Sequence, residues 1–280
     1  MIRTAALAAA AVPITGILSN SLTAQAAAPA NADERWRGLK IGVASYTFRK
    51  FNVDDTIKAI RRVGLRYVSI KDFHLPMNST PQQRKDVAKK FRDAGITPLS
   101  CGVVTMTNNQ ANIRSAFEYA KDAGIPTIVC APATDSMATL DKMVKEYDIK
   151  LAIHNHGPGD NKYPLPYDAM KLIENYDPRI GLCIDIGHTG RMKVDPAKAI
   201  LDCRQRVHDI HLKDINVMEA RGSCVESGRG VLDLKAIMQA LLDINFTGLA
   251  GFEYEKDADD PVPGLAESVG YTRGLLVGMN

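Results

Sequence analysis

The stretch "IGLCIDIGHTGRMKVDPAKAILDCRQRVHDIHLKDI", residues 180–215, contains a whole structural unit. A strand-like, mostly apolar segment, "IGLCIDIGHT", gives way to "DPAKAILDCRQR" at helical period, and then to a second strand-like run, "VHDIHLKDI". Strand, helix and strand in that order predict a βα crossover and a parallel sheet whose strands are buried on both faces.

Outward from this unit the rhythm repeats. "IGVASYTF" (41–48) precedes "NVDDTIKAIRRVG" (52–64), where Asn52 and Asp55 have capping-box spacing. "YVSIKDF" (67–73) precedes "TPQQRKDVAKKFRDAG" (80–95), with Thr80 as cap and Pro81 at the first helical position. "TPLSCGVV" (97–104), "TIVCAPA" (127–133) and "KLAIHNHG" (150–157) each lead into a helix-like segment. After the central unit come a longer polar loop and "DLKAIMQALLDINF" (233–246), then "GLAGFEYEK" (248–256) and a last segment near "PGLAESVGYTRGLL" (263–276). Eight such units predict a single (β/α)8 TIM barrel over residues 33–280. A doubly wound sheet would favour an early glycine-rich phosphate loop. None is present, and the "GRG" at 228–230 directly follows no strand candidate.

The first 32 residues read differently. An early arginine, an apolar stretch and small residues before Ala26 or Ala32 form the pattern of a secretory signal peptide and short leader. Export, as to a periplasm, is the expectation. Beyond that segment no uninterrupted apolar run approaches the ~20 residues of a membrane span. The 280-residue chain has a net charge of only +3 and no aromatic-plus-basic stripe, which argues against nucleic acid as a partner. Five cysteines show no CxxC spacing, and Cys101, Cys130 and Cys183 lie in apolar runs, where thiols act as small hydrophobes. Oligomeric state is not legible.

In a barrel the carboxyl ends of all strands open on one rim, where active sites are built. Alternation places His154 and His156 on one face of their strand, and Cys183 with Asp185 on the next. It likewise aligns Asp209, His211 and Lys213, and then Gly251, Glu253 and Glu255. The intervening residues are mostly bulky and apolar, as helix-facing positions should be. Several ionisable groups converging on a barrel axis are expensive to bury without partners. Imidazoles with carboxylates are the donors of a divalent metal, so His154, Asp185, His211 and Glu253 are the expected ligands. Mixed N/O ligation suits Mn, Fe, Co, Ni or Zn better than Ca. A metal-free hydrogen-bonded network is the alternative.

These motifs, "CIDIGHTG" (183–190), "VHDIHLKD" (207–214), "GRGVLD" (228–233) and "GFEYE" (251–255), resemble the xylose isomerase-like TIM-barrel superfamily, in its sugar phosphate isomerase/epimerase branch. The resemblance spans essentially all of 39–276. It implies a divalent metal held at strand ends by Glu, Asp, His and Glu, chelating neighbouring oxygens of a sugar. Asp185, His211 and Glu253 match that pattern. His154 stands where the resemblance expects a glutamate, which makes an epimerase with two matched carboxylates less secure. A hydratase or lyase acting on 3-keto-glycosides or their unsaturated derivatives gains ground, as the variant this chain resembles.

The expected activity is therefore a metal-dependent sugar isomerase/epimerase or related lyase, abstracting a proton beside the carbonyl of a sugar or keto sugar through an enediolate. A non-catalytic carbohydrate-binding barrel is the reading from another class. Glu253 is a candidate base as well as ligand, and His156 an acid–base group suited to neutral pH or a satisfied loop histidine. Lys213 is a candidate for stabilising enolate charge, or a salt-bridge partner of Asp185 or Asp209. Lys71 is a candidate base or substrate clamp. His188, Glu255 and Arg229 are candidates for binding substrate, with a loop-orienting bond, a rim charge and a helix-entry turn as their respective structural alternatives.

Overall fold

The computed structural model describes Met1 and residues 34–279. Apart from Met1, the expected leader, 1–32, lies outside the described residues. Residues 34–279 form one compact unit.

Seven parallel strands come first: β1 (Lys40–Ala44), β2 (Tyr67–Ile70), β3 (Thr97–Met106), β4 (Thr127–Pro132), β5 (Lys150–His154), β6 (Ile180–Asp185) and β7 (Val207–Leu212). A short antiparallel ribbon follows, β8 (Asp214–Ile215) against β9 (Cys224–Val225), and β10 (Leu249–Phe252) completes the set. The barrel closes in the order β1-β10-β7-β6-β5-β4-β3-β2, which is a (β/α)8 TIM barrel.

Helices follow the strands in turn. They are α1 (Val53–Arg62), α2 (Pro81–Asp93), α3 (Gln110–Ala123), α4 (Met137–Tyr147) and α5 (Pro166–Ile173), then α6 (Ile186–Arg191), α7 (Pro196–Asp202), α8 (Leu234–Asp243) and α9 (Val262–Gly278). Their boundaries follow local chemistry. The Asn52 side chain accepts the Asp55 N–H at the start of α1. Thr80 and Gln83 form a reciprocal capping box with Pro81 at the start of α2. None of the helices among the described residues is long and apolar enough to cross a membrane.

Alternation sorts the strand side chains into two packing environments. Ile153, Ile184 and Ile210 are almost fully buried in the large core cluster. Each such side chain contributes roughly 1.5–3 kcal/mol relative to exposure. On the alternate positions, Val129, Ala152 and Cys183 form a second, small cluster with Val103 beside it. Above this small-residue layer, register puts His154 opposite Cys183 and Asp185 opposite His211. Gly251 lies opposite His211 as well, which brings the chain two residues before Glu253 alongside the same position.

Strands stop earlier than hydropathy alone indicates. "IGLCIDIGHT" is strand only to Asp185, and 186–191 turn into α6. The cause is Asp185 itself, whose side chain accepts the His188 N–H and caps the new helix. "IGVASYTF" is strand to Ala44 and a 3-10 turn from Ser45 to Phe48. The longer polar loop after β7 carries the β8–β9 ribbon, which forms a wall beside the barrel mouth.

Candidate metal centre

Four side chains from four neighbouring strands meet at the mouth. His154 Nε2 lies 3.1 Å from His211 Nδ1 and 3.6 Å from Asp185 Oδ2. His211 Nδ1 is 3.3 Å from Glu253 Oε2 and 3.9 Å from Asp185 Oδ2. One donor atom from each of the four falls within 4.8 Å of all the others, and all four residues are buried. An ion with ligands at ~2.0–2.2 Å requires donors separated by roughly 3–4.4 Å, close to this set. His154, Cys183 and His211 form a second possible triad, which adds a thiol beneath the mouth.

Three of the four donors are held in the state a cation needs, and His211 would have to give up a proton to bind one. Burial pushes the His154 imidazole down to about 4, so it is neutral with a lone pair available near pH 7. Burial alone would raise the Asp185 carboxyl, but His188, Lys213 and His154 around it hold it well below the usual range. Glu253 is likewise held low against its burial, by His211 and Lys213. His211 is raised despite burial, because Glu253, Asp209 and Asp185 surround it. Asp185 divides its labour: Oδ1 accepts the His188 N–H at 2.7 Å, while buried Oδ2 faces the Lys213 ammonium at 3.1 Å and His154 Nε2 at 3.6 Å without a well-formed hydrogen bond. That oxygen lacks a well-formed hydrogen bond, and a divalent cation at this point would bind it directly.

Lys213 is the nearest cation in the chain. Its buried ammonium lies 3.1 Å from Asp185 Oδ2, and it donates to Glu253 Oε2 at 2.9 Å and Glu255 Oε1 at 2.6 Å. Burial alone would lower it, yet the three carboxylates hold it well above its ordinary value. It pairs with Asp185 rather than Asp209. Asp209 lies deeper, accepts a 3.7 Å contact from the Cys183 thiol, and is pushed up to about 7 by burial.

Two of the four donors, His154 and Glu253, reach the wall of a cavity of about 380 Å³. His154, Glu253, Glu255, His156, His188 and Lys71 all line it. His156 is exposed, with its ring 4.7 Å from that of His188 and 5.7 Å from that of His154. Lys71 Nζ sits 5.7 Å from the Tyr46 ring centroid. Arg229 is not brought to the cavity: its guanidinium pairs with Glu267, and its side chain is 64% exposed.

The glycines flanking Arg229 have a different use. Asp214 accepts from the backbone N–H groups of Gly228 and Gly230 at 2.9 and 3.0 Å, and from Leu232 at 3.3 Å. A Cβ at Gly230 would lie 2.1 Å from Asp214 Oδ1. The "GRG" loop therefore wraps a buried carboxylate of the chain itself, and its close approach needs glycine for that reason.

Asn155, between the two histidines, is a positioning residue that alternation alone hides. It is fully buried, accepts the Asp185 N–H at 3.0 Å and donates to Thr189 Oγ1 at 3.2 Å. Thr189 Oγ1 in turn donates to the Asp185 carbonyl at 2.7 Å. Asp185 is thus clamped through its backbone as well as its side chain. Tyr46, Thr105 and Asp160 also line the cavity, without a signal in the sequence.

Fold and site together define a TIM barrel with a buried N/O donor cluster at its catalytic rim. The family profile of xylose isomerase-like TIM barrels matches residues 57–275, and the chain belongs to that family. A mannonate dehydratase of Oceanobacillus iheyensis is 31% identical over 116 residues, covering 37% of this chain and 33% of the relative. The match therefore spans about a third of that relative's length. Among solved structures, a protein from Parabacteroides distasonis aligns with a TM-score of 0.65 at 24% identity, covering 83% of this chain and 97% of the other. The 3-keto-D-glucoside 4-epimerase of E. coli aligns with a TM-score of 0.70 at 17% identity, covering 84% and 99%. These two likenesses establish shared architecture.

Proposed function

We propose that this protein is an exported, divalent-metal-dependent enzyme that converts a sugar or keto sugar by removing a proton beside a carbonyl. The observation that carries the reading is the convergence of His154, Asp185, His211 and Glu253 on one point, with His154 and Glu253 lining the cavity. Those four residues would hold the ion. When bound, it would supply Lewis-acid polarisation of the substrate carbonyl. Export rests on the ordering of charged, apolar and small residues in the first 32.

Each of the chain's own groups has a distinct task. The Glu253 carboxylate is ionised and lies at the cavity wall, able to accept a carbon-bound proton. Lys213, hydrogen-bonded to Glu253 and Glu255, fixes both carboxylates and offsets their charge. Lys71 lines the same cavity and places a positive charge where an enediolate would develop negative charge. His156 and His188 border it and can hold sugar hydroxyls, with the exposed His156 the better placed to exchange protons with solvent.

One feature favours elimination or hydration over epimerisation. The β5 position holds the His154 imidazole, whose lone pair would be taken up by the ion, rather than a carboxylate to match Glu253. Two matched bases on opposite faces of the substrate are therefore missing. The dehydratase and 3-keto-glucoside epimerase named among the relatives frame these two outcomes without deciding between them.

The test is a screen of free sugars, phosphorylated sugars and 3-keto glycosides on metal-loaded protein, followed by NMR in D2O. Deuterium uptake beside the carbonyl with a defined product supports the reading, and the product distinguishes the branches. Binding of these sugars with no exchange or turnover in any of them would make the protein a carbohydrate-binding barrel.

A further inference from the structure

A second cavity of about 350 Å³ adjoins the first, and His188 and Glu255 line both. Its walls come from the end of α6, the β8–β9 ribbon and the segment after β10, and they carry Arg191, Lys213, Lys256 and Ser223. Lys213 is paired with carboxylates, as described. Lys256 is paired with Glu226 at 2.8 Å. Arg191 differs from both. Its Nε and Nη2 donate to the Ala220 carbonyl at 3.1 and 2.7 Å, and its Nη1 contacts His188 Nδ1 at 3.2 Å.

Both partners of this guanidinium, the Ala220 carbonyl and the His188 imidazole, carry no negative charge. Its positive charge is therefore not neutralised by any carboxylate hydrogen-bonded to it among the described residues. A guanidinium has five N–H donors, so one on Nη1 and one on Nη2 remain free. The double contact to Ala220 O fixes the plane of the fork in advance, which limits the entropy lost on binding. A pre-set planar fork with free donors is suited to a carboxylate or phosphate.

We propose that this second cavity is a subsite for an acidic substituent of the substrate, held by Arg191. The proposal rests on the sugar reading above and narrows it: the reacting carbon lies in the first cavity, and the far end of the molecule carries the anion past His188 and Glu255. A carboxylate and a phosphate present the same chemistry to Arg191, and the probes separate them.

The experiment is calorimetric titration of metal-loaded protein with D-glucose, D-glucuronate and D-glucose 6-phosphate. At least one acidic probe should bind about ten-fold or more tightly than glucose, the return expected of charge-assisted hydrogen bonds. Preference for glucuronate identifies a carboxylate subsite, and preference for the phosphate a phosphate subsite. Arg191→Gln should bring the acid-to-neutral ratio close to one. Arg221→Gln, in the β8–β9 loop next to Ala220 but paired with Glu219 and outside the cavity lining, should keep the wild-type ratio. Glucose binding as tightly as both acids, or a ratio that survives Arg191→Gln, overturns the subsite while leaving the sugar reading intact. No binding of any of the three probes overturns both.

Discussion

Replacing Lys213 with methionine keeps most of the stem's volume and removes only the ammonium. Three carboxylates then lose their cation, two of them buried: Asp185 Oδ2 at 3.1 Å and Glu253 Oε2 at 2.9 Å, along with the more open Glu255. Breaking a buried pair by deleting one partner typically costs about 3–5 kcal/mol, because the remaining charge stays desolvated. For a domain of this size 1 kcal/mol moves Tm by roughly 2–4 °C, so the metal-free variant should melt about 6–20 °C below wild type. A divalent ion on the same two oxygens supplies the missing positive charge. Saturating metal should therefore recover at least half of the deficit, more than it raises the wild-type Tm. Scanning calorimetry of both proteins, with chelator and with Mn2+ or Zn2+, measures the four values. Equal metal-induced shifts in wild type and variant would refute the claim that Lys213 and the ion act on the same carboxylates.

Asn155→Ala should weaken metal binding by roughly 10- to 100-fold, the usual cost of losing a group that orients a ligand, and competition against a coloured chelator would measure it. Unchanged affinity would show that the Asn155 contacts to Asp185 and Thr189 do not set ligand position. Gly230→Ala must displace either the loop or Asp214, and should cost about 1–3 kcal/mol by urea denaturation. Arg229→Ala, next to it but exposed, should stay within about 0.5 kcal/mol of wild type. Glu226 is held down to about 2, by Lys256 first and then by Tyr254, against an ordinary value of 4.5. Between these values the unfolded chain binds the proton and the native one does not, so stability rises with pH. That contribution is full above about pH 4.5 and fades as pH falls toward 2. Urea midpoints of wild type and Glu226→Gln should accordingly converge from pH 6 down to pH 3, and a constant gap would contradict the assignment.

The barrel was legible because each βα unit carries its own periodicity and capping chemistry, and the closed strand order follows from eight such units. The four donors were legible for a related reason. Alternation is strict along a strand, so a polar residue sharing parity with Ala152 or Cys183 has to point into the barrel. What stayed hidden depends on contacts between segments far apart in sequence. Asn155 has the parity of an outward residue, yet it lies past the end of β5 and turns onto Asp185, thirty residues away. The glycines around Arg229 suggested a ligand-binding loop, but the ligand they wrap is Asp214 of the chain itself. Strand ends were overread because hydropathy continues through "DIGHT", whereas the Asp185 side chain caps a helix within it. Arg191 gave no sequence signal because its unpaired charge is defined by which carboxylates fail to reach it.

The most direct measurement is metal stoichiometry by elemental analysis after exhaustive dialysis, on wild type, His154→Ala and Glu253→Gln. The account predicts one divalent ion per wild-type chain and clear loss from both variants. A full equivalent retained in both variants would contradict it.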